Sequence, residues 1–305
     1  MDVNKFSPTG AINKKHLVTL ANYSEDEIYE ILVFARDIAT RLSAGEKLAF
    51  LKNKYVSLIT KRTFARSRIA FETAVTKLGG TPIVSTMHGS ELETTIGDKL
   101  TMEAIAGYGV NAIVVQTAEA TDAEHLEKAV NIPIINANSK SGPCEALAAL
   151  LTVWKLKGKL SGLKITMVGD PSVYGDSFVY AFATCGFDVT IVCPEGKNPP
   201  DEIINHCNQY GDVIICQDLS DGVKDADVIF VSNDGLGFEY VVDSTVLTGA
   251  KPDAIVLHTL PVIADESVAE DVINSKQFVA LQQALHLPEI EMAALSLLVG
   301  KTKTY

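Results

Sequence analysis

Short runs of β-branched and aliphatic residues recur along this chain at intervals too long for hairpins, and that spacing restricts the fold more than any other feature. The runs are Tyr55 to Ile59, Thr81 to Ser85, Ala112 to Val115 and Ile132 to Ile135. A second set follows at Ile165 to Val168, Val189 to Val192, Val213 to Cys216, Val228 to Ser232 and Ile255 to His258. Each is a near-continuous apolar run, which is how strands buried on both faces read. Helical patterns fall between several of them. Ser24 and Glu27 form a capping-box signature ahead of Ile28, Ile31, Leu32, Ala35, Ile38 and Leu42, and Gly45 stops that helix. Phe71, Ala74, Val75 and Leu78 form another, closed by Gly79-Gly80. Leu100 to Ala106, Cys144 to Lys155 and Glu289 to Leu298 are further helical segments. Strands alternating with helices predict an α/β fold with parallel sheets covered on both faces. The 305 residues correspond to about two domains.

Composition narrows the partners. The 38 acidic against 26 basic side chains give a formal charge of −12. A field of that sign repels nucleic acid and anionic lipid, so neither is expected as a partner. No apolar run reaches the roughly 18 to 20 residues a membrane span needs. Met1 to Lys5 lacks the apolar stretch of a secretory signal, so a cytoplasmic protein is expected. All five cysteines fall between Cys144 and Cys216 without a Cys-x-x-Cys pair, which reads as free thiols. The histidines (His16, His88, His125, His206, His258, His286) show no ligand spacing, so no metal and no cofactor is expected.

In an open parallel sheet, ligands sit beyond the carboxyl ends of strands, often at a helix N-terminus. Four segments occupy such places. Lys61 to Arg68 carries four cations in eight residues between a strand and a helix. It suits an anionic ligand, or is a solvated basic helix start. Val168-Gly169-Asp170-Pro171, with Tyr174-Gly175-Asp176-Ser177, resembles a strand-to-helix turn without the complete dinucleotide fingerprint. That argues against a nicotinamide enzyme. His258-Thr259-Leu260-Pro261 follows a buried strand, where a histidine is commonly a structural hydrogen-bonder. Val231 to Gly237 is a polar glycine-rich loop in which Asp234 holds a substrate amine or belongs to a turn.

The order of these segments resembles the aspartate/ornithine carbamoyltransferase family over nearly the whole chain. That family carries Ser-Thr-Arg-Thr-Arg before a helix with Phe-Glu and Leu-Gly-Gly. Here the stretch reads Phe64-Ala65-Arg66-Ser67-Arg68, then Phe71-Glu72 and Leu78-Gly79-Gly80. Ser141-Gly142-Pro143-Cys144-Glu145-Ala146-Leu147 is similar to the family's His-Pro-Cys/Thr-Gln-Ala-Leu segment. His258-Thr259-Leu260-Pro261 matches its His-x-Leu-Pro loop, and Gln282-Gln283-Ala284 to Leu298 looks like the tail of the aspartate branch. The resemblance implies two doubly wound parallel-sheet α/β domains. Residues 1–140 with 286–305 would form a carbamoyl-phosphate-type domain, and residues 141–285 an amino-acid-binding-type domain.

The same matching changes the chemistry. Two family hydroxyls fall on Phe64 and Ala65, and the family histidine and glutamine that hold the carbamoyl group fall on Gly142 and Glu145. Family cations correspond to Gln116, Ile96, Asp176 and Val262. Lys61, Arg62 or Lys99 would have to replace them. The resemblance therefore implies substrate contacts from Arg66, Ser67, Glu145, His258, Leu260, Pro261 and Asp234, toward a small anion and an amino compound. Two readings follow. One is an enzyme moving a carbamoyl or related group from an anionic donor to the amine of an amino-acid-like substrate. The other is a catalytically silent paralogue serving as a binding, regulatory or assembly subunit. The family implies a homotrimer, and the second reading adds hetero-oligomers with an active relative.

Overall fold

Four strands in the N-terminal half and five in the C-terminal half build separate parallel sheets in the computed structural model, which describes residues 2–60, 65–86, 99–116, 120–137, 142–232 and 237–300. The chain divides into two compact units. The first comprises residues 6–147 and 287–305, the second residues 1–5 and 148–286.

In the first unit, β1 (Tyr55–Thr60), β2 (Thr81–Thr86), β3 (Ala112–Gln116) and β4 (Ile134–Asn136) run in the order β2-β1-β3-β4, every neighbour parallel. Strand β3 is buried throughout and β1 from Val56 onward, which is why both read as apolar runs. Pro82 sits on β2, at the sheet edge, where a strand tolerates a residue without an amide donor. The chain leaves β1 to one side for β2 and returns on the other side for β3, so the carboxyl ends of β1 and β3 flank the switch point at which such sheets bind ligands. Thr60 and Gln116 face each other in register there.

Helix α1 (Glu25–Ser43) starts at the expected capping box. Ser24 Oγ accepts from Glu27 N at 3.2 Å, and Glu27 Oε2 accepts from Ser24 N at 3.1 Å. Its core-facing stripe carries one charged residue, Glu30, whose buried carboxylate accepts from Thr9 N at 2.8 Å and Gly10 N at 2.7 Å. Gly45, at φ +78°, takes the left-handed conformation that ends the helix. Helices α2 (Ala65–Lys77), α3 (Lys99–Gly107) and α4 (Ala120–Ala129) follow, and α5 (Pro143–Lys157) leads from the first unit into the second.

The second sheet contains β5 (Lys164–Val168), β6 (Asp188–Val192), β7 (Val213–Cys216), β8 (Val228–Val231) and β9 (Ile255–His258), ordered β7-β6-β5-β8-β9 and again all parallel. Its connections include α6 (Pro171–Tyr174), α7 (Asp176–Thr184), α8 (Asp201–Cys207), α9 (Leu219–Gly222), α10 (Ser244–Leu247) and α11 (Glu270–Ile273). Phe178 stacks on Phe230 with ring centroids 4.3 Å apart, and Tyr174 meets both edge-on, fixing the two short helices against β8.

Most boundaries fall within a residue or two of those read in the sequence, and two of the differences have a clear cause. Strand β4 begins at Ile134 rather than Ile132, because Ile132 and Pro133 belong to the turn before it. The last helix, α12 (Ala280–Val299), starts nine residues before Glu289 and runs through Pro288. A proline usually marks a first helical turn. Here leucines and alanines on both sides carry the helix across it. No helix among the described residues is long and apolar enough to cross a membrane.

A candidate anion site with its own carboxylate

Arg66 and Ser67 lie in the first turn of α2, just beyond β1, and Glu145 lies in the first turn of α5, just beyond β4. The sheet thus brings residues from two distant segments to one carboxyl edge. Arg66 Nη1 donates to Glu145 Oε1 at 3.0 Å. The arginine side chain is 36% exposed and the glutamate 2%. Ser67 is buried. Burial pushes the Glu145 carboxyl above the usual carboxylate range, and Arg66 opposes that shift without cancelling it. An aligned α5 N-terminus also favours a negative group at this position.

A residue that sequence reasoning did not single out completes the cluster. Glu291, on α12, is fully buried, and neither of its carboxyl oxygens has a hydrogen-bond partner. Burial first, and the charge of Glu145 second, hold it well above the ordinary range, while Arg66 pulls it back only in part. The buried Cys144 thiol is pushed up by burial and by the same two carboxyls. At the switch point, Thr60 Oγ1 and Gln116 Oε1 are also buried without partners. One sequence signal was there to find Glu291: a carboxylate set between Leu287 and Leu295 on the apolar stripe of a helix.

In the second unit, His258 ends β9 beside Val231 of β8. Its Nε2 lies 3.0 Å from Ser267 Oγ, and burial pushes its pKa down to about 4. The ring is therefore neutral and structurally engaged at one nitrogen, while Nδ1 has no partner. Ser232 Oγ, just past β8, is likewise buried and unpartnered. Leu260, half-buried, and the exposed Pro261 follow His258 and share a cis peptide bond. Asp170 closes the start of α6 itself: its Oδ1 accepts from Ser172 N at 2.9 Å and Ser172 Oγ at 2.7 Å, and Oδ2 pairs with Lys197 at 3.0 Å. A helix end capped by its own carboxylate and opening on a proline offers no cradle for a pyrophosphate.

The structure thus joins Arg66, Ser67 and Glu145 in one unit, and sets His258, Leu260 and Pro261 together in the other. Asp234, Lys61, Arg62 and Ile96 lie outside the described residues. Lys99, at the start of α3, is largely exposed and lies 3.7 Å from Glu103.

Comparison with known proteins gives the family and agrees with the fold. A family model described as aspartate/ornithine carbamoyltransferase, carbamoyl-P binding domain, matches residues 15–155, and its companion Asp/Orn binding domain matches residues 161–234 and 236–298. The chain belongs to the aspartate/ornithine carbamoyltransferase family. The ornithine carbamoyltransferase of Pyrococcus abyssi is 30% identical over 315 residues, spanning 96% of this chain and 98% of that protein. The ornithine carbamoyltransferase of Bacillus subtilis is 30% identical, covering 94% of each. Among solved structures, the ornithine carbamoyltransferase from Pyrococcus furiosus superposes with a TM-score of 0.90 at 30% identity, covering 97% of this chain and all of that one. The catalytic subunit of M. jannaschii aspartate transcarbamoylase gives 0.79 at 26% identity, covering 94% and 98%.

Within this family, Arg66 occupies the motif position that the resemblance assigns to anion binding. Here that cation already holds a carboxylate belonging to its own chain. An isolated guanidinium at a helix start attracts an oxyanion, whereas one paired to a buried glutamate is electrically satisfied.

Proposed function

We propose that this chain is a silent carbamoyltransferase paralogue that binds a small amino compound or a partner subunit and does not use carbamoyl phosphate at neutral pH. The observation that carries the reading is the Arg66–Glu145 ion pair. An incoming dianion must take Arg66 from Glu145, losing a charge-assisted bond of about 1.5–3 kcal/mol. Replacement of the family hydroxyls and cations by Phe64, Ala65, Gln116 and Ile96 removes groups that would repay that cost.

A second reading keeps the reaction: transfer of a carbamoyl or related group from an anionic donor to the amine of an amino-acid-like substrate. It is favoured by the retained Arg66-Ser67 pair and the retained His258-Thr259-Leu260-Pro261 loop. Arg66 and Ser67 would hold the donor, Leu260 and Pro261 would present backbone groups to the carbamoyl group and the amine, and Asp234 would hold the amine. Proximity and electrostatic stabilisation of a tetrahedral intermediate would then supply the rate. Under either reading the resemblance supports a cytoplasmic homotrimer, with hetero-oligomers joining an active relative under the first.

Isothermal titration of the purified protein with carbamoyl phosphate at pH 7.5, with inorganic phosphate as control, separates the two. No heat and no thermal shift at millimolar ligand is the outcome expected of the silent paralogue. Micromolar binding, followed by carbamoylated product in an amine screen, would establish the transferase.

A further inference from the structure

We infer that residues 16–18 form a detachable fifth strand on the first sheet, latched to β4 by the His16 ring and released when that ring takes up a proton. The inference lies outside the reading above and does not depend on it. Leu17 bridges Ile135 in parallel, with Leu17 N donating to Ile134 O and Asn136 N donating to Leu17 O, each at 2.8 Å. Asn136 Nδ2 adds a bond to Val18 O at 3.1 Å. The next rung breaks the pattern: Ile134 N donates at 3.1 Å to Nδ1 of His16 instead of to a carbonyl. A carbonyl accepts at every pH, whereas an imidazole nitrogen accepts only while it carries no proton.

That bond fixes the ring. Because Nδ1 accepts from a backbone amide, the neutral imidazole carries its proton on Nε2. A second proton, taken from solvent onto Nδ1, sets one N–H against another and leaves the amide of the fully buried Ile134 without its acceptor. The new cation also stands beside Lys15, whose Nζ donates to Asn131 Oδ1 at 2.6 Å. Lys15 shares one crevice with Lys99 and Glu103 of α3 and Glu127 and Lys128 of α4. On the other side, Tyr23 Oη donates to His16 O at 2.8 Å, and Lys14 lies over the Tyr23 ring and 3.5 Å from Glu27. Burial first, and the charge of Lys15 second, hold His16 below its ordinary 6.5. The folded ring therefore binds its proton less tightly than the released one, so attachment is complete above about pH 6.5 and weakens as the pH falls. Release opens β4, the end strand of its sheet, as a free edge. It also frees Asn136, whose carbonyl accepts from the Cys144 thiol at 3.7 Å, one residue before Glu145.

Hydrogen exchange of the full-length protein is followed at pH 7.5 and 5.0, resolved to single amides and corrected for the intrinsic pH dependence of exchange. In the wild type, protection of the Leu17, Ile134 and Asn136 amides is expected to fall about tenfold between the two, while Leu58, buried in β1, keeps its protection. His16→Asn carries a side-chain oxygen close to the position of Nδ1 and does not titrate. It is expected to hold the three amides within about threefold of one another's protection at both pH values. His16→Leu offers no acceptor and is expected to leave the Ile134 amide exchanging fast at both.

Equal wild-type protection of Ile134 at the two pH values overturns the inference and needs no variant. An equal loss at Leu58 also overturns it, since that is unfolding of the whole unit and not release of one strand. So does a folded His16→Asn that loses protection in acid as the wild type does, or a folded His16→Leu whose Ile134 amide stays protected. None of these results bears on the silent-paralogue reading, which the carbamoyl phosphate titration decides.

Discussion

Arg66 Nη1 and Glu145 Oε1 meet at 3.0 Å across 79 positions of sequence, one side chain open to solvent and the other enclosed. The asymmetry predicts unequal mutants. Arg66→Ala takes the guanidinium from an interior carboxylate and is expected to cost about 3 kcal/mol at pH 7.5. Glu145→Gln leaves a neutral amide able to accept from the same guanidinium and is expected to cost less than about 1.5 kcal/mol. Urea unfolding of both variants checks the ordering, and equal losses would refute it.

Glu291 predicts the alkaline limb of the stability curve. Its carboxyl is held well above the ordinary value by burial and by Glu145, so the folded state binds its proton more tightly than the unfolded chain does. Stability from this group is fully present below about pH 4.5 and declines as the pH rises from there toward the raised folded value. Glu291→Gln cannot ionise. Its melting temperature is therefore expected to exceed that of the wild type at pH 8 by more than at pH 5, measured by calorimetry at both.

His258 predicts the acid limb. Burial depresses its pKa to about 4, below the ordinary 6.5, so it contributes stability above about pH 6.5 that is lost as the pH falls toward 4. The shift corresponds to about 3 kcal/mol. His286, bonded to Thr152 and also near 4, acts in the same direction within the same unit. His258→Asn is expected to lose stability at pH 7 yet show a shallower decline between pH 6.5 and 4.5. An unchanged slope in denaturant midpoints would count against it.

Glu30 predicts a loss with no pH signature invoked. Its carboxylate is the acceptor for the amides of Thr9 and Gly10, and it is buried. Glu30→Ala leaves those donors without that acceptor and is expected to cost about 2–3 kcal/mol. Hydrogen exchange of the Thr9 and Gly10 amides would quicken first, which a purely global destabilisation would not produce.

The scaffold was largely legible because its signals are local. Runs such as Ala112 to Val115 announce strands by their own composition, and Ser24 with Glu27 announces a helix start by two side chains three residues apart. Helix α4 was not legible, since Ala120–Ala129 is mostly polar. The extent of α12 was hidden by Pro288. Of the site, Arg66, Ser67 and Glu145 were singled out by residue type and by resemblance. Their mutual arrangement was not, because a bond between α2 and α5 depends on strand order, which residue patterns leave open. Glu291 was missed for the same reason: it reaches the cluster through a helix that enters the first unit from the far end of the chain.

A carboxylate built into the chain does for Arg66 what a bound metabolite does for an ordinary binding protein, and it is always present. Proteins whose pockets need ligand to neutralise them gain stability as that ligand accumulates. With Glu145 on Arg66, this protein carries the equivalent of a permanently saturating dose. The charge balance of Arg66 near neutral pH therefore does not wait on any metabolite.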